Sequence, residues 1–253
     1  MTKILKKSKK IFLTIGISLI LIVCLFLANL FAGLIVPANT SGSEVSSQAY
    51  ELHFLTLAKS QVKEESVALA LDFRKIGAGG FIWEKDERFW LVSSAYASKN
   101  DAVLVQSSIK QTQNLESEII SVKFEAITIS GEFSAEEKKA VSKALSAGMN
   151  FYLSIYDIAI SLDTGVYNEI SAKLAVNNAH NTLAGVYADF TTIYPSPIAK
   201  PFLSIENMLK SMAKVSQNLC TGQKLSNEQT YSSLLKYRYM EVLKIYYDFL
   251  QEF

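Results

Sequence analysis

Two tryptophans, a histidine and a serine fall at positions where strand alternation would gather them on one side of a sheet. In this chain of 253 residues, Tyr50 to Ala58 (YELHFLTLA), Gly79 to Glu84 (GGFIWE) and Arg88 to Tyr96 (RFWLVSSAY) read as short strands rich in aromatic and β-branched residues. Successive side chains of a strand point to opposite faces. Placing Leu52, Phe54 and Leu91 in the core leaves His53, Trp90, Val92 and Ser94 on the other face. Trp83, or its neighbour Ile82, joins them from the adjacent strand. Indole rings stack on the apolar face of a sugar, and imidazole and hydroxyl groups bond its hydroxyl rim, so these five residues form a candidate glycan site. The competing expectation is that helices elsewhere in the chain cover this face and make both tryptophans interior residues.

Catalytic chemistry has little to stand on. The histidines are His53 and His180, and His180 sits beside Asn177, Asn178 and Asn181 as on a solvated helix face. No Cys or carboxylate stands at metal-ligand spacing from either, so no metal is expected. Nucleophile-elbow, Walker and His-Glu-x-x-His motifs are absent. Gly77-Ala78-Gly79-Gly80 follows a helical segment and precedes a strand, the reverse of a dinucleotide turn, and reads as a helix C-cap plus a turn. The expectation is a protein without cofactor that is not an enzyme.

The elements that must position the candidate site come in a definite order. Between the first two strands, Gln61 to Ile76 is helical, with Gly77 as its stop. After the third strand, Ser98 caps a helix carrying Ala102, Val105 and Ile109 on one side, and Ile119 to Thr128 alternates as a last strand. The order β-α-β-β-α-β is that of a ferredoxin-like split βαβ unit. From Ser134 onward the period is helical. Ser134 to Glu137 is a capping box, Val141 to Leu162 follows steps of four and three, and Ala144 and Gly148 allow close helix approach. Further helices run from about Tyr167 to Ile193, from about Pro201 to Leu219, and from a box at Ser226 to the carboxyl end. The last is rich in tyrosine (Tyr231, Tyr237, Tyr239, Tyr246, Tyr247), as for core and rim. Four helices on short turns predict an antiparallel bundle.

Phe89-Trp90-Leu91-Val92-Ser93-Ser94-Ala95-Tyr96, followed by Ser98, Lys99, Asn100, Asp101 and Ala102, resembles the third strand and helix start of SPOR domains, Tyr-Arg-Val-x-x-Gly-Pro-Phe then Ser-x-x-x-Ala. Ser94 and Ala95 replace the Gly-Pro pair. The first strand, Leu52 to Leu57, is similar, with His53 where Gln is usual and Leu55 where Gly is usual. The resemblance covers roughly a third of the chain. It implies the ferredoxin-like fold and non-covalent binding of peptidoglycan glycan strands, in cell division or sporulation.

The amino end adds a second expectation. Ile11 to Val36 is a run of 26 residues without a charge, 21 of them hydrophobic, and it follows Lys3, Lys6, Lys7, Lys9 and Lys10. This reads as a transmembrane helix with a cytoplasmic amino end; a cleaved signal peptide is the alternative, because Val36-Pro37-Ala38 is a passable cleavage site. The mean hydropathy of +0.18 averages this run with a body of ordinary composition. Beyond the five lysines the remaining 20 basic residues face 24 acids, a balance of −4 that gives no basic patch for nucleic acid. Cys24 lies in the run and Cys220 beyond it, so no intramolecular disulfide is expected.

The fold class expected is therefore α+β: an amino-terminal transmembrane helix, a ferredoxin-like βαββαβ domain and an all-α four-helix bundle. The expected boundaries are a basic tail over 1–10, a span over 11–36, a Ser-rich linker over 37–49, the SPOR-like domain over 50–130 and the bundle over 131–253. Expected partners are peptidoglycan, membrane lipid and an envelope protein on the bundle, in a single-pass protein of the bacterial cell membrane with its body outside the cytoplasm. The alternative function is a structural protein that assembles an envelope complex through protein contacts.

Overall fold

The computed structural model describes residues 44–195 and 200–253. Its elements run β1 (Glu44–Ser46), β2 (Tyr50–Ser60), α1 (Lys63–Lys75), β3 (Phe81–Lys85), β4 (Arg88–Tyr96), α2 (Lys99–Gln113), β5 (Glu118–Phe124) and β6 (Thr128–Ser130). The helices α3 (Ala135–Asp163), α4 (Glu169–Ile193), α5 (Phe202–Cys220) and α6 (Tyr231–Leu250) follow.

Local chemistry explains most boundaries. Asp86 and Glu87 both take positive φ in the two-residue loop joining β3 to β4, the backbone twist that a tight hairpin needs. Ser98 caps α2 by accepting from the Asp101 amide, and Asn114 closes that helix in the left-handed region. The Ser134–Glu137 box is present in both directions at the start of α3. At α6 the helix begins later than the Ser226 box predicts. Thr230 is the cap, and Gln229 turns inward, accepting from the Leu225 amide and donating to the Ser233 hydroxyl.

The main sheet has the order β3-β4-β2-β5 with every neighbour antiparallel, the arrangement of a split βαβ unit. β1 and β6 form a second, two-stranded sheet, so a strand lies within the stretch expected to be linker. One irregularity decides which side chains share a face. Leu55 pairs with Ser94 but Thr56 pairs with Val92, leaving Ser93 as an extra residue in β4. This bulge reverses the alternation. Trp90 and Val92 therefore share a face with Phe54, Leu52 and Trp83, while Ser94 and Tyr96 share the other face with His53 and Leu55.

α1 and α2 lie on the face that carries Leu55 and Tyr96, where Ala102, Val105 and Ile109 of α2 pack. The opposite face is covered by α6, with α3 beside it. Trp83 meets Phe54 edge-on at 4.9 Å and Tyr247 of α6 at 5.3 Å, and Phe124 stacks on Tyr246 at 6.1 Å. The Tyr152 hydroxyl donates to the Ala95 carbonyl at 3.0 Å and that of Tyr246 to the Leu145 carbonyl at 2.8 Å, so these two buried phenols have their polar ends satisfied.

Two expectations are corrected. The predicted fold class set a four-helix bundle apart from the sheet domain and a transmembrane helix before both. Instead Ser41–Phe253 is one compact unit of α+β class, with one continuous core running from the sheet into the helices. The physical reason is that the apolar face of the sheet and the tyrosine-rich face of α6 bury each other. Ile11 to Val36, the predicted span, lies outside the described residues, as do the basic tail and Cys24. Among the described residues no helix is long and apolar enough to cross a membrane, and a single-pass membrane localisation is not supported.

Candidate functional site

Three of the five residues expected to meet a sugar lie under α6. Trp83 and Val92 are fully buried, and Trp90 is half-buried with Lys59 Nζ 4.5 Å from its ring centroid. Opening this face would expose Leu52, Phe54, Phe81, Trp83, Val92, Val122 and Phe124 of the sheet, all buried. At about 2 kcal/mol for each large apolar side chain, the cost matches the whole stability of an ordinary domain. This face is core.

The other two lie across the sheet. His53 is half-buried, and its Nδ1 shares a hydrogen bond with the Ser121 hydroxyl at 3.0 Å. Ser94 is buried and shares a short hydrogen bond with the Tyr239 hydroxyl, which also accepts from the Ala95 amide. Ser94 does reach an open space.

That space is a cleft of about 570 Å³ between α1, α2 and the carboxyl-terminal half of α3. Its size is that of a small-ligand pocket. Leu57, Ile76, Leu104, Val105, Ile109 and Ile160, with the rings of Phe73 and Tyr156, make the walls apolar, and Leu104 and Ile76 stand exposed at the mouth. Its polar end gathers Ser94, Tyr96 and Tyr239 with Asp101, Asp163 and Lys236. Lys236 Nζ donates to Asp163 at 2.7 Å and to the Gly77 carbonyl at 3.0 Å, and Ser233 donates to the Ala78 carbonyl at 2.6 Å. These bonds tie α6 to α3 and to the loop before β3. Gly79 fits there because a Cβ would stand 2.8 Å from the Ser93 carbonyl oxygen. The floor of the cleft is thus held by side chains from β4, α3 and α6.

Burial sets the protonation of the phenols. Burial pushes Tyr96 up to about 12, the Ser94 hydrogen bond opposes this, and the charges of Asp163 and Asp101 add to it. Tyr156, also in the wall, is raised by burial and then by Tyr96 and Asp101. Both are neutral hydroxyls at any physiological pH and act as hydrogen-bonding groups. Next to Tyr156 in the chain, burial raises the Asp157 carboxyl from 3.8 to about 6. Between those values the folded chain holds a proton that the unfolded chain has released, so stability falls as pH rises through that window. Asp157→Asn is expected to raise the melting temperature at about pH 7.5, with the gain shrinking toward zero at about pH 3.5. Melting curves of both proteins at the two pH values measure it.

Among the described residues no group of three His, Cys, Asp or Glu side chains could hold a metal ion. His180 shares a hydrogen bond with the Ser216 hydroxyl at 2.8 Å, and Cys220 is a half-buried free thiol that burial raises.

Sequence reasoning missed the cleft. Asp101, Asp163 and Tyr156 belong to no catalytic or binding motif, and the lining is scattered from Leu57 to Tyr239, so no spacing joins it.

No family model matches the chain, and no curated protein matches it. Among solved structures, one similar to part of it is the solution structure of the peptidoglycan-binding domain of the B. subtilis cell wall lytic enzyme CwlC. It is 20% identical, covering 33% of this chain and 96% of that one with a TM-score of 0.26, a likeness too slight to carry a functional assignment.

Proposed function

We propose that the chain is a non-catalytic module that binds cell-wall peptidoglycan, and that the ligand enters the cleft between α1, α2 and α3. The observation that carries this reading is the cleft itself: a preformed space with apolar walls and a few convergent polar groups. The sheet face, where the SPOR resemblance would place a glycan, is filled by α6. The element order and the Trp90 to Ala102 segment that resemble SPOR domains supply the ligand class. The cleft supplies the place.

Leu104 tests the site without threatening the fold, since it is 69% exposed at the mouth. Leu104→Arg in the full chain is expected to weaken co-sedimentation with purified sacculi by at least about tenfold, because a charged stem would fill an apolar entrance. Leu174→Arg, equally exposed on α4 and away from the cleft, is the control and should bind as the parent does. Equal binding by Leu104→Arg and the parent would remove the cleft from the mechanism.

A further inference from the structure

The outward face of α4 is unlike that of a solvated helix. α4 packs on α3 and α5 through Ala172, Val176, Leu183 and Phe190, all buried. On the opposite side stand Ile170, Leu174, Asn178, Asn181, Gly185 and Ala188, all exposed, with Ile170 at 80% and Leu174 at 64%. A helix face that ends at water ordinarily carries charge. Here the 15 residues from Leu174 to Ala188 include no Lys, Arg, Asp or Glu. The nearest charges of α4 are already engaged, Lys173 by Glu169 at 2.6 Å and Asp189 by Lys143 at 3.2 Å. Exposed apolar side chains at a place depleted of charge have the composition of an interface core.

The face is also complementary to itself. Its large side chains lie in the amino-terminal half and its small ones in the carboxyl-terminal half, where a Cβ on Gly185 would meet nothing within 4 Å. Turned antiparallel about a two-fold axis between Asn178 and Asn181, two copies set Leu174 of each onto Gly185 of the other, and Ile170 onto Ala188. Packed parallel, Leu174 would meet Leu174, and Gly185 would face Gly185 across a gap. In the antiparallel register Asn178 of one copy stands opposite Asn181 of the other. Neither side-chain amide has a hydrogen-bond partner among the described residues. An amide carries both donor and acceptor, so the two can pair across the axis and fix the register. On the flanks Lys173 meets Tyr187 and Asp189 meets Ser171, so no like charges come together. From Ile170 to Ala188 the helix runs about 27 Å, enough for two copies to bury on the order of 1,000 Å² in total, the lower bound of a specific interface.

We propose that this face joins two copies of the chain as an antiparallel α4–α4 dimer that forms at micromolar concentration. Neither the cleft nor its ligand enters into the pairing.

Sedimentation velocity of the full chain reads the association directly. The parent is expected to pass from 28.1 kDa toward twice that mass, with a dissociation constant on the order of 10 µM. Leu174→Arg and Gly185→Glu each place a charge at an exposed position. Each should weaken association at least about tenfold, with a melting midpoint in dilute solution no lower than the parent's. Mixed in equal amounts, the two variants should recover a dimer within about threefold of the parent's affinity. Antiparallel packing sets the arginine of one copy against the glutamate of the other and leaves the second Leu174–Gly185 contact intact. Sacculi co-sedimentation, read at about 0.1 µM where parent and variants are all monomers, should be unchanged by either substitution. A parent that stays monomeric at about 100 µM leaves the face to a different protein and overturns the dimer. Variants that associate as the parent does overturn it as well. Failure of the mixture to recover the dimer overturns the antiparallel register.

Discussion

Replacing Trp83 with alanine is expected to lower the free energy of unfolding by about 3–5 kcal/mol, the cost of emptying a large site in a core. The ring is 0% exposed and touches Phe54, Phe81 and Tyr247, with Lys244 Nζ 5.8 Å from its centroid. Neighbours on both the sheet and α6 lose their contact together, so the cavity has no flexible wall to collapse it. The indole Nε1 is buried without a hydrogen-bond partner. Trp83→Phe therefore removes an unsatisfied donor along with one ring, and should recover well over half of the loss. Urea denaturation of the three proteins measures both values. A loss below about 1 kcal/mol for Trp83→Ala would mean that this face is open to solvent, as the glycan reading of these residues required. With Trp83 in the core, the folded fraction of the alanine variant should bind sacculi as the parent does.

The way Trp83 was misplaced shows where sequence reasoning reaches its limit. Strand alternation located β4 at Arg88–Tyr96, because nine residues of aromatic and β-branched type bounded by charge and a helix cap leave little choice. The sides it assigned assumed unbroken alternation. A single extra residue, Ser93, reverses the parity, and nothing in Val92-Ser93-Ser94-Ala95 marks where a bulge will form. Leu52 and Phe54 then face the same way as Trp83, and His53 faces away with Ser94. The tyrosines of α6 were legible as core and rim residues, yet the surface they cover was not, since periodicity reports that a face is apolar without naming its partner. The cleft is further out of reach. Its residues are ordinary in their local roles, Asp101 as a first-turn acid and Asp163 at a helix end, and only the packing of α3 against α2 and α6 brings them together.

Gly148→Leu is expected to cost about 3 kcal/mol and to abolish ligand binding, although the residue lies outside the cleft. A Cβ on Gly148 would stand 2.8 Å from Met212 Cε of α5 and 2.8 Å from Tyr246 Cγ of α6. The methionine end can swing away. Tyr246 cannot, because its ring stacks on Phe124 and its hydroxyl donates to the Leu145 carbonyl, one turn back along α3 itself. The helix must therefore retreat from α6. One turn later Tyr152 would lose its bond to the Ala95 carbonyl, and one and two turns beyond that Tyr156 and Ala159 would carry the cleft wall outward with them. Gly148→Ala, a smaller intrusion, should cost about 1 kcal/mol and weaken binding only slightly. Unfolding midpoints and sacculi co-sedimentation for both variants decide the matter. If leucine lowers stability while binding by the folded fraction is unchanged, α3 does not position the cleft. If the two losses grow together from alanine to leucine, the close approach at Gly148 sets the width of the site.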